Sequence, residues 1–402
     1  MVTGLRRSSL VLSAALLAAC TSAQAGATAS RRASPAPTTS HGVIVAAPSP
    51  GLTSTPPPPS PEAPAAPVRF DGIAFRTPTV GWAVGLRAAG DNTATVEISH
   101  SLDGGTTWSR AIPVATYAHL DVAYGSPSVR FADARHGFVF GQGAVETLDG
   151  GTTWNDAGLA GRVYEIAPVG ADVWAAVGCD PTVVCRNQIL TRSLGGGAWN
   201  GLPAEPDLSS SPISLLRVSH DVAVAAVVAW QDKPRLAVTN DAGRSWRALQ
   251  GPCSNLGQGA IASDDGRTIW LACGGQPGAG EQPKALYVST NGGTSWELRA
   301  RDYPDPVLGD LTIGGYVNAL RISASGVGFL GLAREGILRS TDGGRTWKDL
   351  GVSDGAGGDA HNLWLVDSSH LWAVVAGING PTLYRSTDGG ATWSAVASSP
   401  PS

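Results

Sequence analysis

Charge is scarce in this 402-residue chain: Asp, Glu, Lys and Arg make up 15% of it, and the formal net charge is −4. Without a basic excess there is no global field for neutralising phosphates, so a nucleic-acid partner is not indicated. Cysteine is scarce too, with five residues, and no Cys-x-x-Cys pair or accompanying His suggests a zinc knuckle. His-Glu-x-x-His, a Walker loop and Gly-x-Ser-x-Gly are all missing, which removes the usual signals of metalloprotease, NTPase and α/β-hydrolase chemistry. Beyond the first twenty residues no apolar run reaches the roughly 18 residues of a membrane-crossing helix. Glycine, by contrast, is abundant at 52 residues, and 43% of the chain is hydrophobic. That is enough for one large all-β core or two ordinary domains, and too much for a chain disordered throughout.

Residues 1–20 read as a targeting segment. Arg6 and Arg7 form a short basic region, "SSLVLSAALLAA" is an apolar stretch too short to span a bilayer, and the segment ends in Leu17-Ala18-Ala19-Cys20. That ending resembles the bacterial lipoprotein signal, which implies cleavage before Cys20 and a lipid on it. A plain secretory signal and a twin-arginine route are the alternatives. Residues 21–67 hold eleven of the 28 prolines, mixed with Ser, Thr and Ala and with no aromatic residue. Such a segment cannot bury enough apolar surface to offset its ordering entropy, so it is expected to be a disordered, partly polyproline II tether.

From residue 68 to 402 an eight-residue box repeats: "SLDGGTTW" (101–108), "TLDGGTTW" (147–154), "SLGGGAW" (193–199), "TNDAGRSW" (239–246), "STNGGTSW" (289–296), "STDGGRTW" (340–347) and "STDGGATW" (386–393). The spacing stays between 46 and 51 residues. Upstream of each box lie two short apolar strands split by a polar turn, such as "VRFADARHGFVFG" or "LRISASGVGFLGL". A third strand such as "GILRS" leads into the box, and a fourth is opened by its Trp. A period in the forties containing four strands is the content of one propeller blade. The expected fold is therefore all-β, a seven-bladed β-propeller of four-stranded antiparallel blades.

The box residues suit a tight hairpin. Its Asp or Asn is expected to accept a bond from an N–H two residues on, closing an Asx-type turn, while the glycines tolerate positive φ. The Trp then carries a large apolar surface into the outer strand. Seven of the 13 Trp are in boxes, and Trp82, Trp174, Trp270 and Trp372 share a second-strand position, so the tryptophans read as structural.

Ser-x-Asp-x-Gly-x-Thr-Trp resembles the Asp-box, or BNR repeat, of sialidases, sortilin-type receptors, some xyloglucan-cleaving glycosidases and the photosystem II stability/assembly factor propellers. The resemblance implies that the box lies between the third and fourth strands, away from the usual active face, and is structural. On that basis Asp103, Trp108, Asp149, Trp154, Trp199, Asp241, Trp246, Asn291, Trp296, Asp342, Trp347, Asp388 and Trp393 are turn and core residues. The third copy departs from the pattern, with Gly195 in place of Asp and one residue missing before Trp199, and its turn should close differently. Calcium at a box is disfavoured, because each box supplies one carboxylate where the ion wants six to eight oxygens.

A sialidase-like site would need a Phe/Tyr-Arg-Ile-Pro motif, three arginines and a Tyr–Glu pair. Arg69 in "PVRFDG" lacks the Ile-Pro, and Tyr164 and Glu165, neighbours on one strand, point to opposite faces. A carboxylate pair drawn from Asp302, Asp305 or Asp310 stays open on sequence alone. Arg130, Arg217 and Arg321 occupy one slot in the first strands of blades two, four and six. They are read either as a positive channel mouth or, preferably, as arginines that each reach a local carboxylate or carbonyl. The variable loops opposite the boxes offer Arg301, Tyr303, Asp310 and Tyr316 as contacts. Four cysteines besides Cys20 pair by proximity as Cys179–Cys185 and Cys253–Cys273, one of three connectivities.

The reading is thus a lipid-anchored, extracytoplasmic, monomeric scaffold without cofactor or metal. It recognises a protein or glycan of the cell envelope through propeller loops, with a sialidase-like exo-glycosidase or glycan-binding protein as the alternative.

Overall fold

Runs such as "GFVFG", "IWLACG" and "GFLGLA" are apolar at every position, and a strand of that composition must be covered on both faces. The computed structural model meets this demand with sheets stacked face to face around a ring. It describes residues 69–119, 126–178, 186–206, 213–227, 235–253, 257–302, 307–312, 314–353 and 358–399. Cys20, the tether, Cys179, Cys185, Tyr303 and Asp305 lie outside the described residues.

Blade 1 contains β1 to β4 (Gly72–Phe75, Gly81–Gly90, Thr93–Ser101, Ile112–Tyr117), and blade 2 contains β5 to β8 (Ser128–Phe131, Gly137–Gly141, Gly143–Thr147, Asn155–Asp156). Blade 3 is β9 to β12 (Arg162–Val169, Asp172–Gly178, Gln188–Ser193, Asn200–Gly201), and blade 4 is β13 to β16 (Ile213–Arg217, Ala223–Val227, Arg235–Thr239, Arg247–Gln250). Blade 5 is β17 to β20 (Gly257–Ser263, Ile269–Gly274, Lys284–Ser289, Glu297–Arg301), and blade 6 is β21 to β24 (Tyr316–Ile322, Gly328–Ala333, Gly336–Ser340, Lys348–Asp349). Blade 7 is β25 to β28 (Asp359–Leu365, Leu371–Gly377, Gly380–Ser386, Ser394–Ser398). Each blade is a four-stranded antiparallel sheet of consecutive strands, so the chain is a seven-bladed propeller.

The box turns and the turns between first and second strands share one end of the ring. Backbone bonds join them within a blade: Gly104 N–H to Thr79 O at 2.8 Å, Gly150 to Arg135 at 2.9 Å, Gly292 to Arg267 at 2.8 Å and Gly389 to Ser369 at 3.0 Å. The loops between second and third strands, and the connections between blades, lie at the other end. There Cys253, just after blade 4, forms a disulfide with Cys273 in β18, and both are buried.

Seven apolar clusters fill the seven junctions between blades. In several, the box Trp of one blade meets an aromatic from the second strand of the preceding blade. Trp246 lies 6.3 Å from Trp174, and Trp347 lies 6.3 Å from Trp270 and nearly perpendicular to it. Edge-to-face contacts of this kind add stabilisation beyond the area buried.

Among the described residues no strand crosses from blade 7 to blade 1, and side chains join the two blades. Phe75 stacks on Trp372 with centroids 4.0 Å apart and planes 8° apart. Trp364 Nε1 donates to Phe75 O at 2.6 Å, Asn362 Nδ2 to Asp71 O at 2.7 Å, and Trp372 Nε1 to Gly104 O at 3.0 Å. Because Trp372 is fully buried at this seam, Trp372→Ala should lower the unfolding free energy by about 3–5 kcal/mol, the usual cost of truncating a core aromatic. Urea unfolding measures it, and an unchanged midpoint would show that the seam is held by other contacts.

Candidate functional site

Both carboxylate oxygens of a typical box are already engaged. Asp103 accepts the Thr107 N–H at 2.8 Å and its hydroxyl at 2.6 Å, while Ser101 Oγ donates to Asp103 and accepts the Gly105 N–H at 2.8 Å. The same set recurs at Asp149, Asp241, Asp342 and Asp388. The N–H accepted lies four residues on, not two as the Asx-type turn requires. The two central residues, both at positive φ (Gly104 75°, Gly105 91°), coil the loop so that the carboxylate meets the residue before the Trp. Asn291 keeps the pattern through Ser295.

The third box closes by other means. Gly196 N–H bonds Ser193 O at 3.2 Å, and Arg192, ion-paired with Glu146 of blade 2, lies 4.5 Å over Trp199. Most box indoles donate to the second glycine's carbonyl, as Trp108, Trp154, Trp347 and Trp393 do. Trp246 donates to Ala204 O, and Trp296 Nε1 finds no acceptor among the described residues.

These donors hold Asp103, Asp149, Asp241, Asp342 and Asp388 at about 2 instead of 3.8. Hydroxyl bonds from Thr107, Ser245 and Thr392 contribute most at Asp103, Asp241 and Asp388, and the Thr153 N–H does so at Asp149. At Asp342 burial pushes upward and the Thr346 bonds outweigh it. Among the described residues no group of His, Cys, Asp and Glu is arranged to hold a metal ion.

The central channel differs chemically from the boxes. It encloses about 640 Å³, lined by inner-strand residues of blades 2 to 7. The slot opposite the second residue or so of each second strand reads Ala74, Arg130, Ala167, Arg217, Ala262, Arg321 and Trp364 around the ring. Arginine alternates with alanine, so each guanidinium has a small neighbour on the preceding blade. Arg130 uses that room to lie 5.0 Å over Trp364 and pairs with Glu165 of blade 3 at 2.9 Å. Arg217 reaches back to blade 3, bonding Ala167 O at 3.4 Å and Asp172 O at 3.1 Å, and stacks 4.6 Å over Trp174.

Arg321 is the exception. Its Nη1 donates to the neighbouring Leu320 O at 2.8 Å, and it makes no ion pair among the described residues. Burial lowers its pKa, and Arg130 lowers it further against a smaller opposing effect of Glu165. Among the described residues the channel lining thus has three arginines and one carboxylate, Glu165, which pairs with Arg130 and offsets the charge of Arg321 only in part.

Bulges interrupt the inner strands. The pairing of β9, β17, β21 and β25 slips at Tyr164, Gly259, Asn318 and Asn362, and all four residues line the channel. Bulges re-aim side chains in this way near binding sites. Glu165 turns to Arg130 of blade 2, while Tyr164 packs in the cluster between blades 3 and 4. They therefore form no relay.

Among the described residues, Arg301 and Tyr316 stand at the opposite end of the ring from the slot arginines, whereas Asp310 follows Gly309, whose carbonyl accepts the N–H of Trp347 in the sixth box at 3.1 Å. Arg301 ends β20 and pairs with Leu308 through two 2.8 Å backbone bonds. Asp310 is exposed in a left-handed turn (φ 54°), and Tyr316 opens β21 beneath the Arg334 guanidinium at 5.7 Å. Asp302 is not available to a carboxylate pair: it is buried 3.0 Å from Lys284 Nζ, which also donates to the carbonyls of Gln282 (2.7 Å) and Gly314 (2.9 Å). Burial lowers the Lys284 pKa and raises that of Asp302, each against the attraction of its partner. No local motif marks this pair, whose members lie eighteen residues apart on neighbouring strands.

The BNR/Asp-box repeat family model matches residues 384–395, the seventh box. No curated protein matches the chain. Among solved structures, YCF48 from Cyanidioschyzon merolae is similar over 81% of this chain and 96% of its own, at 18% identity and a TM-score of 0.56. YCF48 bound to D1 peptide is similar over 81% and 94%, at 17% identity and a TM-score of 0.55. The β-propeller domain of the Trilobed protease from Pyrococcus furiosus, described as having an open velcro topology, is similar over 83% and 99%, at 13% identity and a TM-score of 0.51. At these identities the likeness is one of fold.

Two outcomes follow from these side chains. The box aspartates have folded pKa values below the unfolded value of about 4, so their stabilisation is complete above that pH and is lost as pH falls toward about 2. Thermal unfolding should show Tm dropping across that window, with a shallower drop in Asp388→Asn, which keeps an acceptor as Asn291 does. An equally steep acid loss in that variant would remove the box carboxylates as its cause. Separately, Lys284→Met should cost about 3–5 kcal/mol by stranding a buried carboxylate, whereas adding Asp302→Leu should restore most of it. Urea unfolding in which the double variant is no more stable than the single one would contradict the pairing.

Proposed function

We propose that this propeller is a non-catalytic binding or assembly scaffold that takes an acidic or carboxylate-ended segment of a protein partner into its central channel, at Arg321. The observation that carries the reading is the guanidinium of Arg321, which makes no ion pair among the described residues and lines the 640 Å³ channel beside Arg130, itself paired with Glu165. A carboxylate there gains a charge-assisted bond and relieves the repulsion between Arg321 and Arg130. A similar ring has been seen with a peptide, in the structure titled YCF48 bound to D1 peptide, which supports a protein partner in preference to a glycan. The scaffold acts outside the cytoplasm as a monomer, held to the cell membrane by a lipid on Cys20. The Leu17-Ala18-Ala19-Cys20 ending and the disulfide between Cys253 and Cys273 support that setting, since disulfides persist in oxidising compartments.

Titration of the purified protein with a fluorescent Asp/Glu-rich peptide ending in a free carboxylate tests the reading. Arg321→Ala should weaken binding by about 10- to 150-fold, the worth of one hydrogen bond to a charged group, and Arg321→Lys by less. Equal affinity in Arg321→Ala would remove the channel site. Turnover of a fluorogenic glycoside that depends on a single carboxylate such as Glu165 would overturn the scaffold itself.

A further inference from the structure

Glycine has no side chain to shield its backbone nitrogen, so an asparagine directly before a glycine is the one most open to intramolecular attack on its side-chain amide. The chain has three such pairs, Asn200-Gly201, Asn291-Gly292 and Asn379-Gly380, and all three asparagines are exposed. The fold treats them differently.

Asn291 stands in the fifth box, where both reacting groups are tied. Its Oδ1 accepts the Ser295 N–H and the Ser289 hydroxyl at 2.9 Å each, and its Nδ2 donates to Ser295 Oγ at 2.9 Å. The Gly292 N–H, on the attacking nitrogen, donates to Arg267 O at 2.8 Å. Asn200 and Gly201 are both paired with β11, opposite Thr191 and Leu190, and Asn200 Nδ2 donates to Ala198 O at 2.9 Å. Asn379 is held less. With Ile378 it forms the tip between β26 and β27, whose pairing ends at Gly377 and Gly380, and its side chain makes no hydrogen bond among the described residues. The end of a ladder frays at little cost, whereas Asn291 can move only if the box opens.

We propose that Asn379 is a site of spontaneous deamidation in the folded protein, and that the fifth box holds Asn291 back from the same reaction. The Gly380 nitrogen gives up its proton and bonds to Asn379 Cγ. The bond from Cγ to Nδ2 breaks, and ammonia leaves with that proton, closing a succinimide ring. Water then opens the ring at one carbonyl or the other, which leaves aspartate or isoaspartate at position 379 and adds a negative charge to the tip of blade 7. At Asn291 the same chemistry would give either the aspartate that five boxes already carry or an isoaspartate, whose extra main-chain carbon would break the turn. The bonds around Asn291 therefore protect the joint as well as closing it.

Peptide mapping by mass spectrometry, after incubation of the full chain in mildly alkaline buffer made with isotopically labelled water, tests the assignment. Label at each asparagine position reports its conversion. In the folded protein, label at 379 should accumulate about tenfold or more faster than at 200 or 291, because those two positions must first break bonds that the tip lacks. In concentrated guanidinium the three positions should convert at comparable rates, since only the local sequence then matters. Asn379→Gln should abolish label at 379, because the ring it would need is larger, and leave the other two positions unchanged. Label at 200 or 291 as fast as at 379 in the folded protein, label at 379 only after unfolding, or a ratio between positions that guanidinium does not change would each overturn the proposal.

Discussion

Every part of this molecule depends on the packing of one blade's box tryptophan and inner strand against the second strand of the blade before it. Each blade is made of consecutive strands, so hydrogen-bond ladders hold blades together internally and do nothing to hold one blade to the next. Apolar contact at seven junctions does most of that, with inter-blade bonds such as Trp364 Nε1 to Phe75 O beside it, including the junction between Phe75 and Trp372 where the first and last blades meet. The box turn serves this contact. By tying Ser101, Asp103, Thr107 and their counterparts into one bonded loop, it fixes the backbone from which the Trp projects. Hydrophobic burial gives the ring its stability, and the polar turn gives that burial its geometry.

The same constraint shapes the channel. An inner strand faces a neighbouring blade on each side, so a long side chain in the slot near the box end needs a small one beside it. The alternation of Arg130, Arg217 and Arg321 with Ala74, Ala167 and Ala262 meets that requirement. Two of the three arginines are then tied by Glu165 or by the backbone and Asp172 of blade 3. Arg321 is left with a charge that Glu165 offsets only in part.

Period, strand count and the residues that close the turn were legible in the sequence because each is local: "STDGGRTW" carries its own hydrogen-bond partners within eight residues. The slot shared by Arg130, Arg217 and Arg321 was also legible, being a matter of position within the repeat. What their side chains reach was not, since Glu165, Trp364 and Ala167 belong to other blades. The inner-strand bulges at Asn318 and Asn362 leave no sequence mark, because an extra residue in an apolar strand looks like ordinary variation in repeat length. The Asx-type closure misjudged the box because the reach of its carboxylate depends on how two successive positive-φ residues coil, which composition does not reveal. Asp302 read as a possible catalytic carboxylate only while its partner Lys284, on the neighbouring strand, was out of view.

The central claim is that recognition belongs to the channel and that the boxes are joints. Amide hydrogen exchange over the whole ring, with and without the carboxylate-ended acidic peptide, tests it most directly. Slowed exchange is expected along the inner strands at 162–169, 316–322 and 359–365, with the box turns at 239–246 and 340–347 unchanged. Protection confined to the box turns, with the inner strands unaffected, would contradict it.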